Sequence, residues 1–180
     1  MKKLVIGISA LLASAPALAQ FTGDTVNGTY KYPDNTTVFI NLGNQVVSPT
    51  ATFTFLTGTP NTTAAVGAST ITLSFSGTGD FTGATFNGVT ITDLTDSDII
   101  GVELGSSNVA GFDASRLSFT SNSVSLNLAS LSTTSDSSIV ANVLFSSSAV
   151  PELSTWAMML VGFGGIGMAM RRRRHSALAA

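Results

Sequence analysis

Along most of this chain, apolar and polar residues alternate one for one. In TITLSFSG, Ile71, Leu73 and Phe75 fall on one side of an extended backbone, with Thr70, Thr72, Ser74 and Ser76 on the other. VSLNLAS repeats the pattern with Val124, Leu126 and Leu128, and SIVANVLFS with Ile139, Ala141, Val143 and Phe145. TVFINL (Val38, Ile40, Leu42), ATFTFLT (Phe53, Phe55) and GVTITDL (Val89, Ile91) follow it too. Successive strand side chains point to opposite faces, so period two with one apolar side predicts half-buried strands. Turns are predicted between them at Asn27-Gly28, Pro33-Asp34-Asn35, Gly58 to Asn61, Gly77 to Asp80, Asn87-Gly88 and Gly105 to Ser107. About eight or nine short strands at this spacing predict an all-β fold, an antiparallel β-sandwich of jelly-roll-like form. A β-solenoid competes, but it requires a fixed short period that the chain lacks.

Both ends break the alternation. At the start, Lys2 and Lys3 precede an apolar run from Leu4 to Leu12, and Ala17-Leu18-Ala19 supplies small residues before Gln20. That combination predicts a secretory signal peptide over residues 1–19, with Ala17 and Ala19 as the signal-peptidase site. At the other end, Trp156 to Met170 is apolar or glycine throughout and runs into Arg171, Arg172, Arg173 and Arg174. A helix from Ser154 to Met170 would measure about 26 Å, close to the roughly 30 Å of bilayer hydrocarbon. One C-terminal transmembrane helix is therefore expected. The arginines hold its end in the cytoplasm and Trp156 sits at the interface. Gly165 and Ala169 offer a small-xxx-small face to a partner helix.

Removing the two ends changes the charge. Residues 20–148 keep only Lys31 and Arg116 against nine acids, a net of −7 where the whole chain carries −2. An acidic body lacks the clustered lysine and arginine that nucleic acid requires, so no nucleic-acid partner is expected. The chain has no cysteine, so export brings no disulfide framework. The body also has no histidine, which removes Ser-His-Asp and Cys-His catalysis and His- or Cys-ligated metal sites. The chain is read as a non-enzyme with no catalytic residue and no cofactor, a carboxylate pair being the residual enzymatic option.

Three binding constellations are left. TDLTDSDIIGVE gathers Asp93, Asp96, Asp98 and Glu103, oxygen donors of the type calcium prefers, although the spacing is not that of an EF-hand. Tyr30 and Tyr32 would share a strand face and could stack on a sugar ring. Thr-x-Thr triplets at Thr52, Thr70 and Thr90 could align hydroxyls for ice, but solvent-facing β-formers explain them better. FTGDTVNG (Phe21 to Gly28) and FTGATFNG (Phe81 to Gly88) suggest either two equivalent hairpins or a shared turn composition, the simpler reading.

The tail carries a family likeness. VPELSTWAMMLVGFGGIGMAMRRRR, Val150 to Arg174, resembles the PEP-CTERM sorting signal in its PEPxxWA form, which is related to the so-called ice-binding protein C-terminal domain. The resemblance implies a Gram-negative exporter whose exosortase reads Pro151, Glu152, Leu153 and Trp156 while the inner membrane transiently holds the helix. It further implies a destination at the cell surface or in an extracellular biofilm matrix, beside exopolysaccharide. Leu153 stands where the family carries proline, so the fixed φ of that proline is lost. The expected organisation is a signal peptide (1–19), a Thr/Ser/Gly-rich body (20–148), the sorting signal (149–175) and a short tail (176–180).

Overall fold

The computed structural model describes residues 19–55, 61–146 and 160, 161 and 163. The chain divides into two units, Ala19–Ser146 and a second made of Met1–Leu18 with Ser147–Ala180. The expected signal peptide and the expected sorting motif lie outside the described residues. Of the expected C-terminal helix only Leu160, Val161 and Phe163 are described, all helical and exposed. No helix among the described residues is long and apolar enough to cross a membrane.

The Ala19–Ser146 unit is mostly antiparallel β-sheet. Its strands begin with β1 (Thr25–Lys31), β2 (Val38–Val46), β3 (Ala51–Phe55) and β4 (Asn61–Val66). Then come β5 (Thr70–Ser76), the short β6 (Gly79–Asp80), β7 (Gly88–Asp93) and β8 (Ile99–Ser107). A 3₁₀ turn at Ala114–Arg116 precedes β9 (Leu117–Thr120), β10 (Ser123–Asn127), the short β11 (Ser132–Thr133) and β12 (Ser138–Phe145). One five-stranded sheet runs β2-β1-β7-β10-β9, the other β3-β4-β5-β12-β8, and β6 pairs with β11 in a separate ribbon.

The alternation predicts the buried faces well. Ile71, Leu73 and Phe75 of β5, Val124 and Leu126 of β10, and Ile139, Ala141 and Val143 of β12 are all buried in one core. Val89 and Ile91 of β7 and Phe53 and Phe55 of β3 join them, so both sheets feed the same apolar cluster. Burial of these side chains is the main stabilising contribution, each of the larger ones worth roughly 1.5–3 kcal/mol. Phe21, just ahead of β1, adds an edge-on contact with Phe145 at 4.9 Å.

Three expectations fail for physical reasons. Asn27-Gly28 is no turn: Gly28 lies in the middle of β1, where an added Cβ would come within 2.6 Å of the Phe53 ring. Its glycine serves close approach to the other sheet's side chain. Gly105 to Ser107 likewise lies inside β8. In β2, the apolar face of Val38, Ile40 and Leu42 is not kept. The pairing steps Asn27↔Asn44 to Thr29↔Asn41 and Tyr30↔Ile40 to Lys31↔Val38 each place an extra residue on β2. These are β-bulges, and each extra residue shifts which side chains face inward. Ile40 and Leu42 pack partly on the core, whereas Val38 and Phe39 are exposed. Of the two readings of the FTG segments, equivalent hairpins are excluded, because Gly28 sits mid-strand and Gly88 opens β7, their strands pairing with each other.

Bulge and edge are pinned by side-chain amides. Gly43 takes a φ of +79° at the first bulge. Asn27 Nδ2 donates to Gly43 O at 3.0 Å and to Asn44 Oδ1 at 2.8 Å. Gln45 of β2 reaches into the second sheet: its Nε2 donates to Thr52 O at 2.7 Å, and its Oε1 accepts from Thr52 N–H at 3.0 Å.

Candidate functional site

The carboxylates gather where β7 ends. Val89, Ile91 and Asp93 share the inward phase of β7, so the alternation that buries two apolar residues also buries Asp93, which is 1% exposed. Asp93 Oδ1 accepts the backbone N–H groups of Thr95 at 2.8 Å and Asp96 at 3.2 Å, closing the turn that leaves the strand. Asp93 Oδ2 is buried with no hydrogen-bond partner, and so is Asp98 Oδ1. The main chain of Asp98 is fixed, since its carbonyl accepts from Ser146 N–H at 2.8 Å.

Asp24 completes the group, and no motif in the sequence pointed to it. Antiparallel pairing sets Val26 opposite Asp93. Just before it, Leu94 N–H donates to Thr25 O and Thr25 N–H to Thr95 Oγ1, each at 2.9 Å. The segment entering β1 therefore runs beside the segment leaving β7. Burial, then the charges of Asp93, Asp96 and Asp98, push the Asp24 carboxyl up to about 6. Asp98 is also raised, by burial first and then by Asp96, against the lowering effect of a backbone hydrogen bond, with Asp93 adding a smaller push. The body's two cations are engaged elsewhere. Arg116 donates to Gly111 O at 2.8 Å and Ala129 O at 2.9 Å, and Lys31 reaches towards Asn35.

Glu103, expected in the same cluster, is not part of it. It is exposed on β8 opposite Asn142, five residues beyond Asp98. At a strand rise near 3.3 Å, that is about 16 Å along the chain. Among the described residues, no three carboxylate or imidazole groups converge into a metal cage as they stand.

The tyrosine pair is also corrected. Tyr30 is 7% exposed, packs on Phe55 at 5.9 Å and donates its hydroxyl to Asn87 Oδ1. Burial pushes its phenol up to about 12. A ring enclosed in this way cannot stack on an external sugar. Tyr32 packs partly on the core and meets the exposed Phe39 edge-on at 6.4 Å. The Thr-x-Thr triplets form no single array. Thr52 and Thr70 lie on one sheet and Thr90 on the other, where Thr90 is buried and 2.8 Å from Ser125 Oγ.

Comparison with protein-family models, with curated proteins and with solved structures returned no match for this chain. The functional reading therefore rests on the residues themselves.

Proposed function

We propose that the chain is an exported cell-surface or extracellular-matrix protein of a Gram-negative bacterium, sorted by an exosortase and acting structurally or by interaction, without catalysis. One observation carries the reading: the order Pro151-Glu152, Trp156, a glycine-rich apolar run and Arg171 to Arg174. The signal-peptide pattern ending at Ala19 supports export, with signal peptidase acting first and the inner membrane holding an intermediate through the C-terminal helix. For the body, we read the two sheets as the layers of a jelly-roll-like β-sandwich. Support comes from their shared core and from a chain that changes sheets after β2, β7 and β8, and again from β5 to β7 through β6 and from β10 to β12 through β11. Threonine and serine on the outward phase of β3 and β5 suit a hydrated matrix rich in exopolysaccharide.

Intact mass of the protein from cells with and without exosortase tests the sorting. The expected result is loss of the residues after the Pro151 region only where the enzyme is present. A full-length, membrane-bound form in both strains would leave a plain anchor and remove the sorting role. A second reading, a calcium-binding module, is favoured by the orphaned oxygens of Asp93 and Asp98.

A further inference from the structure

We infer that Asp24, Asp93 and Asp98, with Asp96 at the rim, form a calcium site that ties the entry of β1 to the exit of β7. The inference deepens the calcium-binding reading and is independent of how the protein is sorted.

Two observations made by different atoms support it. The first is juxtaposition: strand pairing brings Asp24 beside a run of three aspartates some seventy residues away. The second is the state of the oxygens. Asp93 is almost wholly buried, yet only its Oδ1 is satisfied, and Oδ2 has no donor. Asp98 Oδ1 is buried in the same condition. A buried carboxylate costs several kcal/mol unless a cation or a set of donors compensates it. Backbone amides take one oxygen of Asp93, and Arg116 and Lys31 are committed to other regions of the body. Among the described residues no cation compensates this charge, and a bound metal ion would.

The donor chemistry selects the ion. All the available side-chain groups are hard carboxylate oxygens, which excludes the softer metals that prefer sulfur or imidazole. The carboxylates come from an irregular entry segment, a strand end and a loop. Calcium tolerates such uneven sets of six to eight oxygens, whereas magnesium demands a near-octahedral one. The groups are short of full convergence. Asp24 and Asp96 lie outside the strands, so their side chains can turn inwards while Asp93 and the Asp98 main chain stay fixed. Loop carbonyls and water would complete the shell.

Isothermal titration calorimetry of the exported, chelator-treated protein with calcium chloride tests the site. Binding of one equivalent is expected, in the roughly 10⁻⁴–10⁻³ M range of extracellular calcium modules, with a rise in the thermal unfolding midpoint. Asp24→Asn should weaken binding by about tenfold or more, and Asp98→Asn likewise, while Glu103→Gln leaves it unchanged. Asp24 is only partly buried, and the thermal midpoint of each variant, read beside its calcium affinity, reports that the body is folded. Absence of heat and of any midpoint shift up to about 10 mM calcium would overturn the proposal. So would a loss in Glu103→Gln equal to that in Asp24→Asn, which would mark diffuse counter-ion attraction. Exosortase processing is read separately by mass, so failure of one result leaves the other standing.

Discussion

Two loops of this body each hold aspartate, and they treat it in opposite ways. In the loop after β1, Asp34 accepts from Thr36 N–H and Thr37 N–H, both at 2.8 Å, and from the hydroxyls of Thr36 at 2.6 Å and Thr37 at 3.2 Å. The Thr36 hydroxyl and amide, then the Thr37 amide, pull its carboxyl down to about 2. In the loop after β7, Asp93 and Asp98 each keep a buried oxygen without a donor, and Asp24 beside them is driven up to about 6. The first arrangement is complete within the chain. The second leaves two buried oxygens without a donor, which the proposed calcium ion would meet. Donor count, more than acidity or exposure, separates a structural aspartate from a ligand-seeking one.

That contrast can be tested by creating an orphan and by removing one. Tyr30→Phe deletes the hydroxyl that Asn87 Oδ1 accepts in the core. It should destabilise the body by about 1–3 kcal/mol, the cost of leaving a buried acceptor unpaired. Chemical denaturation reads this as a lower midpoint at unchanged slope. Asp93→Asn should do the reverse in chelator, raising stability by about 1–2 kcal/mol because a buried unpaired charge is removed. Adding calcium should reverse the ranking, with wild type then above the variant. A drop in stability for Asp93→Asn under chelation would show that its charge is already compensated.

The pH profile of the metal-free protein should carry both signatures. Asp24 has a folded value near 6 against an unfolded 3.8, so the folded state holds the proton more tightly. Its contribution to stability therefore grows as pH falls through about 6 towards 4. Asp34 is depressed to about 2, so its contribution is present above 3.8 and is lost as pH falls towards 2. Thermal unfolding between these limits should show a maximum near pH 4–5 in chelator, and Asp24→Asn should flatten the neutral side. The smallest effect is expected from Asp34→Ala. It should lower the midpoint slightly and remove part of the acid limb, with no change in calcium affinity.

Much of the fold was legible because it is local. Strands β5, β10 and β12 announce themselves by alternation, and the structure buries the residues that alternation selects. What escaped is set by partners distant in sequence. Gly28 reads as half of an Asn-Gly turn until the Phe53 ring of the other sheet accounts for it. Tyr30 looks like a surface platform until β7 and Phe55 enclose it. Asp24 belongs to the acidic site only because β1 pairs with β7. Glu103, close in sequence, is carried away by β8. Linear proximity therefore predicted three of the four carboxylates and included one that does not belong.

The Gln45 side chain has a consequence for life at high concentration. Strand β3 borders its sheet, and a border strand normally offers bare amide and carbonyl groups to any passing chain. Gln45 occupies both polar groups of Thr52 there, and the two bulges of β2 interrupt the neighbouring border. A second molecule thus finds no straight ladder to extend on this flank. A threonine-rich β protein at high concentration can in this way remain a population of separate folded bodies, where unguarded borders would invite fibre formation.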